Sequence, residues 1–275
     1  MMNGNWVSYQ NGNYTVTIDL DTGTKIREND LDFFDAAFPE SMDIKITNRC
    51  SMNCPMCHED SKCDGAHGDI MSESFIDRLH PYTELALGGG NVLEHPDFYD
   101  FLVKCKNLKL ICNTTIRQEH FMQNLDFIRK LRDEGLIYGL GISLSNPWQD
   151  GFVDAVKEFP NAVIHVINGI VTMQDLEQLR YYGLKILILG YKEFRRGEKL
   201  YENAIKQAIR EFIEEHELDF MINKVPYKYQ HGTTPHKEVP NFKPKVKPLI
   251  MYKTFKLRLD NNGNNLAKGY VFPLY

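Results

Sequence analysis

Three cysteines with the spacing of metal ligands lie in one short segment of this 275-residue chain. Cys50, Cys54 and Cys57 form a CxxxCxxC pattern directly after residues 43–47, an alternating run typical of a buried β-strand. Thiolates are soft ligands that select zinc, copper(I) or iron–sulfur clusters. Because a 4Fe–4S cube ordinarily takes one cysteine on each iron, a loop with three cysteines would leave one iron open to a small molecule. The pattern therefore favours a catalytic metal site over a structural one.

Nearby histidines leave a second interpretation of the same cysteines open. His58 and His67 could join them in a mixed Cys/His zinc site. Zinc sites more often use paired CxxC units, or a CxxC followed by two spaced histidines, so we expect an iron–sulfur cluster.

A second motif follows at residues 84–98, ELALGGGNVLEHPDF. It predicts a strand that ends in Gly88, Gly89 and Gly90, with a helix starting near His95. Together, a strand followed by CxxxCxxC and this glycine-rich stretch resemble the radical SAM superfamily, and more loosely its uncharacterised virus-encoded members. The resemblance covers roughly residues 41–200. The sequence departs from the family pattern at Asn91, where a glutamate is usual, and at Met56, where an aromatic residue is more frequent.

This resemblance implies a cofactor set and a mechanism. Cys50, Cys54 and Cys57 would hold a 4Fe–4S cluster whose open iron binds the amino and carboxylate groups of S-adenosylmethionine. One electron from a donor such as flavodoxin or ferredoxin would give a 5′-deoxyadenosyl radical, which takes a hydrogen atom from the substrate. The residues expected to contact S-adenosylmethionine are Met56, Gly88, Gly89, Gly90, Asn91, Ser143, Ser145, Asn168 and Gly190. No catalytic residue beyond these is assigned.

The periodicity of the chain predicts an α/β fold. Apolar strands near 43–48, 84–88, 108–113, 138–145, 162–168 and 184–190 alternate with helices near 72–81, 96–106, 119–134, 149–158, 173–182 and 201–216. Six units are fewer than the eight of a closed TIM barrel, and the resemblance implies a partial (βα)6 barrel. We expect three regions: an N-terminal β extension with a hairpin (1–40), the partial barrel (41–216) and an irregular C-terminal extension (217–275) with a hairpin near 251–272.

Parallel α/β folds bind ligands at the carboxyl ends of their strands. The cysteines follow the first strand and the glycines follow the second, so both motifs should lie at one rim. Asn113 and Thr115 are expected to end the third strand. Ser143 and Ser145 are expected to share one face of the fourth strand, while His165 in the fifth is expected to belong to the core.

Composition and charge limit the other functions. With 43% hydrophobic and 25% charged residues, the chain has the composition of a soluble globular protein. It shows no membrane span or signal peptide, and we expect it in the cytoplasm. Residues 217–275 carry ten basic and four acidic residues, which is compatible with contact to a nucleic acid or nucleotide or simply with a solvated tail. A nucleotide, nucleobase or peptide substrate is equally compatible with the sequence.

Three further cysteines lie outside the CxxxCxxC pattern, and two alternative functions remain open. Cys63 is expected to be a free surface thiol, and Cys105 and Cys112 small buried hydrophobic residues. No cysteine follows Cys112, so we expect no C-terminal auxiliary cluster. The rivals are a non-catalytic zinc or electron-transfer protein and a scaffold that has kept the fold without cleaving S-adenosylmethionine.

Overall fold

The computed structural model describes residues 5–31, 33–72, 76–167, 170–189, 196, 254–258 and 268–269. The strands near the N-terminus form a separate three-stranded antiparallel sheet in chain order: β1 (Trp6–Asn11), β2 (Tyr14–Asp19) and β3 (Lys25–Glu28). The turn between β1 and β2 contains Gly12, whose φ of 62° lies in the left-handed region that glycine adopts without strain. The predicted N-terminal hairpin is therefore confirmed.

The larger sheet contains six parallel strands that neighbour one another in chain order. They are β4 (Ser41–Thr47), β5 (Glu84–Gly89), β6 (Ile111–Arg117), β7 (Gly139–Ser143), β8 (Ala162–Ile167) and β9 (Ile186–Leu189). The α-helices described between them are α1 (Phe98–Asn107), α2 (Gln118–Gln123), α3 (Leu125–Asp133), α4 (Phe152–Lys157) and α5 (Met173–Leu179). The predicted α/β class with six parallel strands is confirmed.

Two short strands late in the chain extend this sheet beyond β4. The strands β10 (Thr254–Arg258) and β11 (Lys268–Gly269) pair antiparallel, as the predicted hairpin requires. The pairing of β10 with β4 is parallel, with Phe255 opposite Met42 and Leu257 opposite Ile44. The sequence did not predict this pairing, because strand neighbours far apart in the chain have no local signature.

Three predicted boundaries were wrong for identifiable reasons. The helix near 72–81 is a short 3-10 turn at Ile76–Arg78 in its described part, since Pro81 disfavours helical geometry in the preceding residue. The long helix at 119–134 breaks into α2 and α3 at Asn124, whose side chain donates to the carbonyl of His120 (2.7 Å). The third strand starts three residues later than predicted, after a turn in which Lys109 has a φ of 58°. The helix predicted at 201–216 lies outside the described residues.

The two faces of the large sheet differ in polarity. One face carries the buried core, to which β4 contributes Met42, Ile44 and Ile46 and the helices contribute residues such as Phe101 and Phe121. The other face carries the alternate positions of the strands, which include the small and polar residues Asp43, Lys45, Gly88, Asn113, Thr115, Arg117, Gly141, Ser143 and His165. Apolar residues such as Val163, Ile167 and Leu187 lie on the same face in the last strands, so this face is mixed, whereas the core face is apolar.

A buried ionic group joins the N-terminal sheet to the start of β4. The Arg27 guanidinium donates two hydrogen bonds to Glu40 from Nε and one from Nη2, the shortest being 2.6 Å. The Tyr14 hydroxyl donates a further bond of 2.6 Å to the same carboxylate. These contacts fix the small sheet against the residue that precedes the first parallel strand.

Candidate metal and cofactor site

The cysteine segment forms a closed loop at the carboxyl end of β4. Bridges between Thr47 and His67 and between Arg49 and Lys62 hold its two ends together. The Cys50 amide donates to the carbonyl of Lys62 (2.8 Å), and the Cys57 amide donates to the carbonyl of Cys54 (3.2 Å). The loop therefore holds its three thiols between two fixed strand-like arms.

The thiols of Cys50, Cys54 and Cys57 are half-buried. Burial raises the pKa of Cys50 and of Cys54 above the ordinary thiol value, although the positive charge of Arg117 partly opposes the shift at Cys54. A bound cation reverses this preference, because a coordinating thiol is deprotonated. Within the described ranges, no three Cys, His, Asp or Glu side chains are already drawn together as metal ligands. Three soft donors on one half-buried loop nevertheless fit an iron–sulfur cluster by their chemistry.

The glycine motif packs directly on this loop. The Gly90 amide donates to the carbonyl of Thr47 (2.8 Å), and the Asn91 amide donates to the carbonyl of Arg49 (2.8 Å). A Cβ on Gly89 or Gly90 would overlap those same carbonyl oxygens, whereas a Cβ on Gly88 would meet open space. Gly89 and Gly90 thus permit the close approach of the two loops, and Gly88 borders a space that a ligand could occupy.

Asn91 has a structural contact that explains its presence after the glycines. Its side chain accepts from the Leu93 amide (3.2 Å) and so caps the 3-10 turn Val92–Glu94. Its amide nitrogen also donates to Glu94 Oε1 (3.1 Å). The 7% exposure of Asn91 leaves little of its surface for another partner.

Glu94 brings a carboxylate to the cysteine loop. Its Oε1 accepts from both the amide (3.2 Å) and the hydroxyl (3.0 Å) of Ser51, the residue after Cys50. Ser51 Oγ also shares a hydrogen bond with Nε2 of the buried His120 in α2 (3.1 Å). Burial acts to raise the pKa of Glu94, but the hydrogen bonds from Asn91 and Ser51 outweigh it and hold the pKa low. Glu94 was not predicted from the sequence, where its three-residue spacing from Asn91 was the available signal.

A second charged residue was also missed at this rim. Arg117 ends β6, where the sequence had placed Asn113 and Thr115; both of these lie within the strand. Arg117 Nε lies 2.8 Å from Glu119 Oε2. The positive charge of Arg117 acts to lower the pKa of Cys54. The third strand therefore delivers a guanidinium to the cysteine loop.

The remaining residues predicted to contact the cofactor lie in different parts of the structure. Met56 is half-buried in the cysteine loop, and Ser143 ends β7 opposite His165 of β8 in the sheet register. Ser145 lies beyond the strand and is exposed, where its amide donates to Gln118 Oε1 (2.9 Å), so the expectation that it shares a strand face with Ser143 is wrong. Asn168 and Gly190 lie outside the described residues.

The histidines and other cysteines have varied environments. His165 does not belong to the core as predicted: it alternates with the core residues Ile164 and Val166 and lies on the opposite face of the sheet. Burial lowers its pKa to about 4, which favours the neutral ring. His67 Nδ1 shares a hydrogen bond with Thr47 Oγ1 (2.9 Å). Cys63 is exposed, while Cys105 and Cys112 are buried, as predicted.

The fold resembles solved structures of SuiB from Streptococcus suis. SuiB bound to S-adenosylmethionine matches with a TM-score of 0.59 over 96% of this chain and 81% of that chain, at 12% identity. SuiB bound to the precursor peptide SuiA matches with a TM-score of 0.55 over 78% and 70%, and a further SuiB structure with 0.54 over 79% and 70%, both at 12% identity. No protein-family model matches the sequence, and no curated protein matches it significantly. The likeness establishes a shared fold.

The helices of the described part of the chain are short. None of them combines the length and the apolar character that crossing a bilayer requires.

Proposed function

We propose that this protein is a radical SAM enzyme that binds a 4Fe–4S cluster through Cys50, Cys54 and Cys57. The observation that carries the proposal is the direct contact of its two motifs, in which the amides of Gly90 and Asn91 bond to the strand end that leads into the cysteines. A sequence resemblance to the family and a fold shared with an S-adenosylmethionine-bound protein support it independently. The six parallel strands would form a partial barrel over residues 41–216, with 1–40 and 217–275 as extensions.

The proposed cofactor contacts follow the rim of the sheet. S-adenosylmethionine would lie in the open space beside Gly88, with Met56, Gly89, Gly90 and Asn91 on the side of the first two strands. Ser143, Ser145, Asn168 and Gly190 would complete the site from later strands. When bound, the cluster and S-adenosylmethionine supply the one-electron chemistry that removes a hydrogen atom from a substrate.

The residues of the chain bind, orient and shield these groups. The bridges at Thr47 and Arg49 fix the base of the loop, and Glu94 holds the amide and hydroxyl of Ser51 next to Cys50. The half-burial of Cys50 and Cys54 limits the access of water to the metal. Arg117 places a positive charge on the rim that favours thiolate at Cys54.

A peptide is the substrate class that one comparison favours, since a structure of SuiB is bound to a precursor peptide. A nucleotide or nucleobase remains the alternative, because residues 217–275 are rich in lysine. Flavodoxin or ferredoxin is the proposed electron donor, and the cytoplasm the proposed location. The proposed relationship to virus-encoded members of the superfamily rests on the sequence pattern alone. It does not indicate a particular activity.

The test is the formation of 5′-deoxyadenosine. The protein would be purified without oxygen, reconstituted with iron and sulfide, and given S-adenosylmethionine and a strong reductant. Product should form with the parent protein and with Cys63→Ala, but not with Cys54→Ala. A chain that binds zinc and no iron would contradict the proposal and favour a non-catalytic metal protein. A chain with about four irons that binds S-adenosylmethionine and never cleaves it, with any candidate substrate added, would favour a scaffold.

A further inference from the structure

Arg196 contacts the cysteine loop from a distant part of the chain. It lies beyond the end of β9, yet its guanidinium reaches the segment around Cys54 and Cys57. One nitrogen, Nη1, donates to Asn53 Oδ1, and Nη2 donates to the carbonyl of Ser61 (2.5 Å). The third nitrogen, Nε, lies 3.1 Å from Asp60 Oδ1 and forms an ion pair. One side chain therefore binds both ends of the segment that contains Cys54 and Cys57.

The residues it binds have strained backbones. Asn53 and Asp60 have φ angles of 45° and 51°, two of the four positive values at non-glycine residues in the described part of the chain. Such conformations are unfavourable for residues with a Cβ, and they persist where surrounding contacts hold them. Asn53 directly precedes Cys54, and Asp60 follows Cys57 by three residues. The two residues with positive φ thus flank the segment that contains these two cysteines.

We propose that Arg196 is a positioning residue that fastens together the two ends of the segment that contains Cys54 and Cys57. The planar fork of a guanidinium donates to two acceptors in fixed directions while its charge pairs with Asp60, a geometry that the compact ammonium group of lysine does not reproduce. The contact also links Arg196, which follows β9 in the chain, to the loop after β4. That this loop holds a cluster rests on the proposed function; that Arg196 fastens the loop does not.

The test that is independent of any cofactor measures thiol alkylation in the metal-free full-length protein. Iodoacetamide would be applied under reducing-agent-free, oxygen-free conditions, and the modification of each cysteine followed by mass spectrometry. Arg196→Gln should make Cys54 and Cys57 react roughly tenfold faster, because hydrogen bonds from a charged donor no longer hold the loop closed. Cys63, which is exposed in the parent protein, should react at an unchanged rate.

The direction of the change in alkylation rate distinguishes a positioning role of Arg196 from a purely electrostatic effect on the thiols. Loss of a nearby positive charge alone lowers the thiolate fraction and slows alkylation, so a faster reaction reports a released loop. Arg196→Lys keeps the charge without the fork and should also react faster than the parent. Lys62→Gln is the matched control, since Lys62 is another cation paired with Asp60 (3.7 Å), and its rates should equal those of the parent.

Asn53→Gly provides a second route to the same contact. Glycine tolerates the positive φ but removes the acceptor of Arg196, so Cys54 should again react faster. Unchanged or slower alkylation in Arg196→Gln and Asn53→Gly, or equal acceleration in Lys62→Gln, would overturn the proposal. In reconstituted protein, the Arg196→Gln variant should lose iron to a chelator faster than the Lys62→Gln variant. If even the parent protein binds no iron, the proposed function fails while the alkylation result still decides the role of Arg196.

Discussion

Glu94 shows how a single carboxylate can organise the cysteine loop through hydrogen bonds. It accepts hydrogen bonds from Asn91 and twice from Ser51, and it belongs to a 3-10 turn directly after the glycine motif. Because Ser51 also contacts His120, residues from three successive strand–helix units meet at this one point. Asn91 therefore does more than replace an expected glutamate: it caps the turn that presents Glu94.

Replacing Glu94 by glutamine should loosen this point. Glutamine keeps an oxygen for the three donors, but it loses the charge that strengthens these bonds and turns an NH2 group toward Arg49, which now pairs with Oε2 (3.6 Å). The change should cost roughly 1–3 kcal/mol of unfolding free energy. Urea denaturation of the metal-free protein measures it. Glu158→Gln, at a surface pair with Arg129, is the control and should cost clearly less, because solvent screens an exposed ion pair. Equal losses in both variants would show that Glu94 is only a surface charge.

At the scale of the elements, the repeating strand–helix pattern could be predicted from the sequence. Local turns and hydrogen bonds between residues far apart in the chain could not. The alternating pattern of β4 and the glycines that end β5 were sufficient to place both motifs at one rim. The start of β6 was misplaced because Leu108 and Leu110 fit a strand pattern, although they precede it around a turn at Lys109. Asn124, Glu94 and Arg196 act through specific hydrogen bonds, which hydrophobic periodicity does not encode.

The glycine motif gives a matched pair of variants at this scale. Gly90→Ala would drive a methyl group into the carbonyl of Arg49 and force β5 away from the cysteine loop, at a cost of roughly 1–3 kcal/mol in unfolding free energy. Gly88→Ala faces open space and should leave the stability unchanged. Thermal unfolding compares the two proteins.

The same pair also reports on the ligand. If S-adenosylmethionine occupies the space beside Gly88, Gly88→Ala should weaken its binding to reconstituted protein by roughly tenfold, the effect of about 1.4 kcal/mol. Equilibrium dialysis measures this affinity. A Gly88→Ala protein that binds S-adenosylmethionine as the parent does would place the ligand elsewhere.

At the scale of the whole molecule, the N-terminal sheet and the large sheet are joined by buried charge. Burial acts to raise the pKa of Glu40, but the hydrogen bonds and charge of Arg27 outweigh it, so the pKa lies below its ordinary value of 4.5. Folding therefore favours the carboxylate. This stabilisation is fully present above about pH 4.5, the unfolded value, and is lost as the pH falls through the folded pKa.

Glu40→Gln should remove this acid sensitivity. The variant should be less stable at neutral pH by roughly 3–5 kcal/mol, because Arg27 remains buried without its charged partner. Its stability should then change less than that of the parent protein between pH 6 and the acid range. Urea denaturation across that range measures both effects, with the exposed Asp100→Asn as the control. Parallel stability curves for parent and Glu40→Gln would contradict the assignment.

The hairpin β10–β11 places a late part of the chain beside the strand that leads into the cysteines. An uncovered strand edge exposes backbone donors and acceptors that pair readily with other chains. A protein that ends at Lys253 would lack β10 and uncover the edge of β4, from which Met42 and Ile44 now face Phe255 and Leu257 in the register. We expect this truncated protein to associate, and gel filtration with light scattering measures it. A monomeric truncated protein with the parent's unfolding free energy would show that β10 contributes nothing to the edge. An associated one would show that residues far outside the two motifs protect the strand on which the cysteine loop is built.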